Sequence, residues 1–172
     1  MQNKRLASIV HGIDALSNWS GKIISYFIVV IVVVLLYEVV ARYWFNSPTI
    51  WAHETSLLLF GVYAVMLGAY AHVHRAHVNM DLFYTRWSLK TRAIVDVCTF
   101  FIFLFWCGAL IWFGTAFAIQ SVKFLEHSTT AWGPSIWEIK LMIPLGTLLL
   151  VLQGVAKFIR DLNIAITGRE LA

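Results

Sequence analysis

Long apolar runs alternate with short polar breaks along the chain. Four runs dominate, at about 23–43, 51–71, 93–119 and 136–159. At about 1.5 Å of rise per residue, roughly twenty helical residues cross a hydrocarbon core of about 30 Å. The first run contains the β-branched stretch Ile28 to Val34, which in water would suggest a strand. Inside a bilayer a lone strand leaves its backbone groups unpaired, whereas a helix pairs them within the segment. The pattern therefore predicts an all-α integral membrane protein, residues 1–172 forming one membrane domain with four transmembrane helices.

The shorter segments have patterns of their own. Leu6, Ile9, Val10, Ile13 and Leu16 fall at helical spacing, with Lys4 and Arg5 on the other side. That predicts an amphipathic helix over the first twenty residues, lying on the membrane surface. Leu82–Arg92 mixes apolar and basic residues, is too short to cross, and predicts a second surface helix between spans two and three. Tyr43, Trp44 and Phe45 form an interfacial aromatic belt, and Asn46-Ser47-Pro48 a turn. Gln120–Ser135 is a polar connection ending in Gly133-Pro134. Pro144, early in the fourth run, removes a helix hydrogen bond and predicts a kink there. Gly61, Ala64, Gly68 and Ala71 line one face of the second run at spacings of three and four. Such a face lets another helix approach closely.

Composition sharpens this picture. Hydrophobic residues make up 60% of the chain and charged residues 13%, and the mean hydropathy is +0.76. The formal net charge of +4 flanks apolar spans, so it suits anionic lipid and not nucleic acid. Lys4, Arg5, Lys22, Arg75, Arg86, Lys90, Arg92, Lys157, Arg160 and Arg169 fall on the side shared by both termini and the middle connection; Arg42, Lys123 and Lys140 fall at the other. The bias predicts cytoplasmic termini. The first twenty residues are too polar for the core of a signal peptide, so the first run reads as a retained span. Cys98 and Cys107 share one span, which disfavours a disulfide or a metal role.

Chemistry-bearing residues are few. His72, His74 and His77 are metal ligands by type, but His72 and His74 do not share a helical face and no Cys lies near. They read as polar residues at a span's exit, with His77 and Asp81 four apart and able to pair. A b-type haem would need axial His deep in the bundle, whereas His11, His53 and His127 lie in or beside polar segments. Glu38 stands well inside an apolar run. It is either a proton or cation site of a small antiporter or a charge neutralised by Arg42 one turn on. Glu54 occupies the first turn of the second span, where the helix dipole favours an acid; a cap-region charge and an interface role are both open. No phosphate loop, nucleophile elbow or catalytic carboxylate pair occurs. No catalytic, cofactor, metal or substrate residue is expected in this chain. The structural or interface candidates are Glu38, Arg42, Trp51, Glu54, Gly61, Gly68, His77, Asp81 and Lys140.

Several of these residues carry a likeness. Arg42-Tyr43 with Phe45-Asn46, Pro48, Trp51, Glu54, Leu67-Gly68-Ala69, His77 and Asp81 resemble the small membrane subunit of tripartite ATP-independent periplasmic (TRAP) transporters, the DctQ-like family. Pro134, Trp137, Lys140, Ile143-Pro144-Leu145-Gly146 and Leu152-Gln153 are similar too. The likeness runs from about residue 20 to 160; Ala76 departs from it where a Gly is expected before the His. The resemblance implies a bacterial inner-membrane importer of organic acids, such as dicarboxylates or sialic acid, driven by sodium. It implies two protein partners, a periplasmic solute-binding protein and a large membrane subunit holding the substrate and sodium sites, beside the membrane lipid that the flanking basic residues already suggest. The small subunit would brace the large one and help dock the binding protein. The alternatives are a self-sufficient antiporter using Glu38 and a haem-bearing membrane anchor.

Overall fold

Each apolar run becomes one helix. In a computed structural model these are α1 (Gln2–Tyr43), α2 (Ala52–Val73), α3 (Leu89–Lys123) and α4 (Trp137–Thr167). The structure describes residues 2–73, 87 and 89–167, with side chains over 10–71, 87 and 91–166. All four helices are long and apolar enough to cross a membrane, so the chain is an all-α, multi-pass membrane protein.

The expected separate surface helix at the start does not exist as its own element. Residues 2–20 continue into α1 without a break. The reason lies in the buried stripe of α1: Val10, Ser17, Ile24, Ile31 and Glu38 are all buried at strict seven-residue intervals. A single seven-residue seam keeps one face toward its neighbours, the geometry of a shallow left-handed crossing. The second expected surface helix falls mostly on residues outside the described set; its last residues, Leu89–Arg92, are the start of α3. At its other end α3 extends through Lys123, so Gln120–Lys123 is helical and the connection starts later than the polarity pattern implies.

Small and polar side chains form the interior. Ala52, Ala69, Ala118 and Ala156 are almost fully buried, whereas Phe105, Trp112 and Phe113 are more than two-thirds exposed. In lipid there is no solvent penalty for an outward aromatic, and helices associate through small residues that bring backbones close. Three glycines make this concrete. A β-carbon on Gly146 would lie 2.6 Å from Val65 Cγ1, and one on Gly21 or Gly154 would overlap the ring of Tyr70 or Phe103. Phe100 stacks on Phe158 with ring centres 4.3 Å apart, extending the α3–α4 seam.

The helices pack in the order α1, α2, α4, α3. α4 also touches α1, so it contacts all three others, while α3 packs chiefly on α4. Pro144 sits inside α4, and the helix continues through it. One end of the row carries the α1–α2 and α3–α4 connections, called here the loop end. The opposite end carries both termini.

Candidate functional site

Among the described residues, ion pairs gather toward the two ends of the row. At the loop end, Glu38 is a buried acid on α1. Arg42, one turn on, donates from Nε to its Oε1 at 2.9 Å, with Nη2 on the same oxygen. Its Oε2 accepts the Thr49 backbone N–H at 3.0 Å and the Thr49 hydroxyl. Both carboxylate oxygens are thus engaged, and Glu38 ties the α1–α2 connection back onto α1. Asn46 makes the reversal possible with φ +48, since Asn tolerates the left-handed region. The Ser47 amide closes the turn on the Ala41 carbonyl at 3.0 Å. Trp51 stacks on Tyr37 at 5.8 Å between ring centres, and its carbonyl accepts the Thr55 N–H at 2.9 Å as α2 begins.

The second connection at this end is a miniature hairpin. Past α3, the amide of Glu126 reaches Ser121 O at 3.0 Å and that of Leu125 reaches Val122 O at 3.1 Å. This is a Schellman cap, but its left-handed position is held by Leu125, φ +45. A side chain there costs about 1–2 kcal/mol relative to glycine. His127 and Ser135 form an antiparallel bridge, the Ser128 amide bonds Pro134 O at 2.8 Å, and His127 Nδ1 lies 3.1 Å from Gly133 O. The Thr130 hydroxyl donates to Glu54 Oε2 at 2.5 Å, joining the two connections. Lys140 donates to Glu126 Oε2 at 2.5 Å and sits 4.0 Å over the Phe117 ring. The hydrogen bond from Lys140 holds the Glu126 carboxyl below its ordinary range.

At the terminal end, Asp14 on α1 accepts Gln153 Nε2 at 2.8 Å and Arg160 Nη2, both from α4. Lys157 lies between Asp96 of α3 at 2.9 Å and Asp161 at 3.2 Å. Lys157 and Arg160 therefore hold helices together, which corrects their reading as lipid-facing charges. Asp14, Asp96 and Asp161 are not among the residues expected from the sequence. For Asp14 and Asp96 the available signal was an acid inside an apolar helix with a Lys or Arg on another helix; for Asp161 it was Lys157 four residues before it.

The structure brings Glu38, Arg42, Trp51, Glu54 and Lys140 to the loop end and leaves Gly61 and Gly68 on α2. A β-carbon on Gly61 would meet nothing within 4 Å, and one on Gly68 only Leu150 Cδ1 at 4.0 Å; Ala64 between them is exposed. This small-residue face is not where α2 packs most tightly against its own chain. His74, His77 and Asp81 lie outside the described residues; His72 is in the last turn of α2, its side chain also outside them.

Every acid among the described residues has a partner within the chain: Asp14, Glu38, Glu54, Asp96, Glu126, Asp161, and Glu138 with the Ser135 hydroxyl at 3.3 Å. Such an arrangement fastens helices and connections together. It does not present a free carboxylate to a solute.

Two comparisons bear on the chain as a whole. Residues 31–163 match the family model described as "Tripartite ATP-independent periplasmic transporters, DctQ component". No curated protein matches the chain.

Proposed function

The chain belongs to the DctQ family, a membrane component of tripartite ATP-independent periplasmic transporters, and from that premise we propose that it is the scaffold subunit of a sodium-driven importer of organic acids. The family is a transporter component and not an enzyme family, and it implies association with a large membrane subunit and a periplasmic binding protein. The finer reading places the chain in a bacterial inner membrane with cytoplasmic termini. It assigns solute and sodium sites to the large subunit and no cofactor to this one. The paired state of the acids carries it: Glu38, the buried carboxylate an antiporter would need, is already engaged by Arg42 and Thr49.

In this reading the open α2 face (Leu57, Phe60, Gly61, Ala64) receives a helix of the large subunit. The loop end, stiffened by Glu38–Thr49 and Glu54–Thr130, faces the binding protein. The test is reconstitution into liposomes under an inward sodium gradient. The chain alone, or with the binding protein, gives uptake no higher than empty vesicles, and adding the large subunit restores it. Uptake by the chain alone at a rate comparable with the full set would sink the scaffold assignment. Orientation is checked with single cysteines in a background lacking Cys98 and Cys107: an impermeant reagent should label position 128 in intact cells and leave position 79 unlabelled.

A further inference from the structure

The end of α3 is built in a way that its own chain does not explain. Three non-helical turns use a positive φ among the described residues: Asn46, Gly133 and Leu125. Asn and Gly are the residues that tolerate this conformation; Leu is not. Yet the Leu125 side chain is 61% exposed, and Phe124 before it 75% exposed, so neither offsets the strain by packing within the chain. Gly or Asn would relieve the strain and remove the apolar exposure together. The knuckle is also held firmly, by the Schellman cap behind it and the Glu126–Lys140 pair after it.

What covers it follows from its surroundings. Phe124 continues an outward arc of α3 made of Ile102, Trp106, Phe113 and Phe117, all half exposed or more. Large side chains fill this arc, unlike the Gly61–Ala64 face of α2, where a partner helix could come close. Lys123, exposed and in no ion pair among the described residues, the nearby Glu126 being taken by Lys140, precedes the knuckle where the apolar helix meets the polar hairpin. A cation at that level with apolar residues below it complements a phosphate headgroup with its acyl chains.

We propose that Lys123, Phe124 and Leu125 form a phospholipid-anchoring site: the Lys123 ammonium takes the phosphate of an anionic lipid, and Phe124 and Leu125 seat against its glycerol and upper acyl region. The occupant is lipid and not the large subunit; the site belongs to the end of α3 and not to the α2 face, so it does not depend on the scaffold reading.

The experiment uses the full chain in nanodiscs, with and without the large subunit, carrying a bimane at Phe124→Cys in a background lacking Cys98 and Cys107. Phosphatidylcholine brominated near the glycerol should quench the probe more than lipid brominated near the chain terminus, equally in the complex. Brominated phosphatidylglycerol diluted into plain phosphatidylcholine should quench more than brominated phosphatidylcholine at the same fraction, and Lys123→Gln should abolish that excess. Loss of quenching when the large subunit is added would assign the knuckle to a protein interface. Equal quenching by the two headgroups in the unsubstituted Lys123 background would remove the phosphate site. Either result overturns the proposal.

Discussion

The Thr130 hydroxyl and the Glu54 carboxylate, 76 positions apart in the chain, meet at 2.5 Å. This bond links the hairpin between α3 and α4 to the first turn of α2, so the two connections at the loop end form one surface. A hydrogen bond of this kind at a partly solvated site contributes about 0.5–1 kcal/mol. Thr130→Val should lower the melting temperature by about 1–4 °C, read by fluorescence thermal shift in detergent. Glu54→Ala should lower it similarly, and the double variant should lower it no more than either single change. Additive losses would show that the two residues act separately.

Glu38 is the junction between Arg42 and Thr49, so its two oxygens serve different donors. An amide at this position offers one acceptor and one donor, and its N–H₂ must face either the guanidinium or the Thr49 amide. Glu38→Gln should therefore destabilise the fold clearly, and Glu38→Ala more, because it strands the Thr49 N–H. Arg42→Ala should lie between wild type and Glu38→Ala, since Thr49 still satisfies one oxygen. Melting of the variants orders them. A Glu38→Gln chain as stable as wild type, yet unable to support cation-coupled uptake in the assembled complex, would revive the antiporter reading.

The Glu126–Lys140 pair carries a pH signature. Its carboxyl is held below the ordinary value of 4.5 by the hydrogen bond from Lys140. A depressed folded value means the pair stabilises the protein above about pH 4.5 and loses that contribution as pH falls through the folded value. Lys140→Met should thus lower the melting temperature at pH 7, and the gap from wild type should narrow as the pH drops below 4.5. A gap constant with pH would assign the effect of Lys140 to its packing on Phe117 instead.

Two glycines separate folding from assembly. A methyl on Gly146 would press on Val65, 2.6 Å from Cγ1 and 3.0 Å from its carbonyl oxygen, so Gly146→Ala should cost about 1–3 kcal/mol. Gly61 has open space instead. Gly61→Leu should leave the melting temperature of the chain unchanged while reducing co-purification with the large subunit. Normal co-purification would show that this face is not the contact.

Periodicity made the four helices legible because each apolar run exceeds the bilayer thickness and only a helix satisfies its backbone there. The pair at Glu38 and Arg42 was legible for a similar reason: both residues lie on one helix, four apart. Thr49 as third member was not, because it requires knowing how the turn folds back. Glu54–Thr130 and Asp14–Arg160 were invisible for the same cause: pairing across helices depends on their order, and α1, α2, α4, α3 is not the order of the chain. Of the apolar residues at helical spacing near the start of the chain, Val10 is buried while Leu16 is exposed, a split that depends on which helices lie alongside. The small residues at 61 and 68 were visible as a pattern, whereas the tight crossings at Gly21 and Gly154 depend on which ring each one meets.

That order also bears on synthesis. α4 is the last helix made, and it is the one that touches the other three. Until it enters the membrane, α1 and α2 can close on each other, but α3 has no neighbour for its main seam and Asp96 has no Lys157 to meet. Asp14 likewise lacks Gln153 and Arg160, its partners on α4, and an acid without its partners near a span is costly, so the nascent chain should pass through an incomplete state that membrane quality control can recognise. A chain ending at residue 136 should still keep α1 and α2 resistant to added protease, while its α3 is cleared by membrane proteolysis. Supplying α4 as a separate peptide should rescue it, and Lys157→Met in that peptide should weaken the rescue.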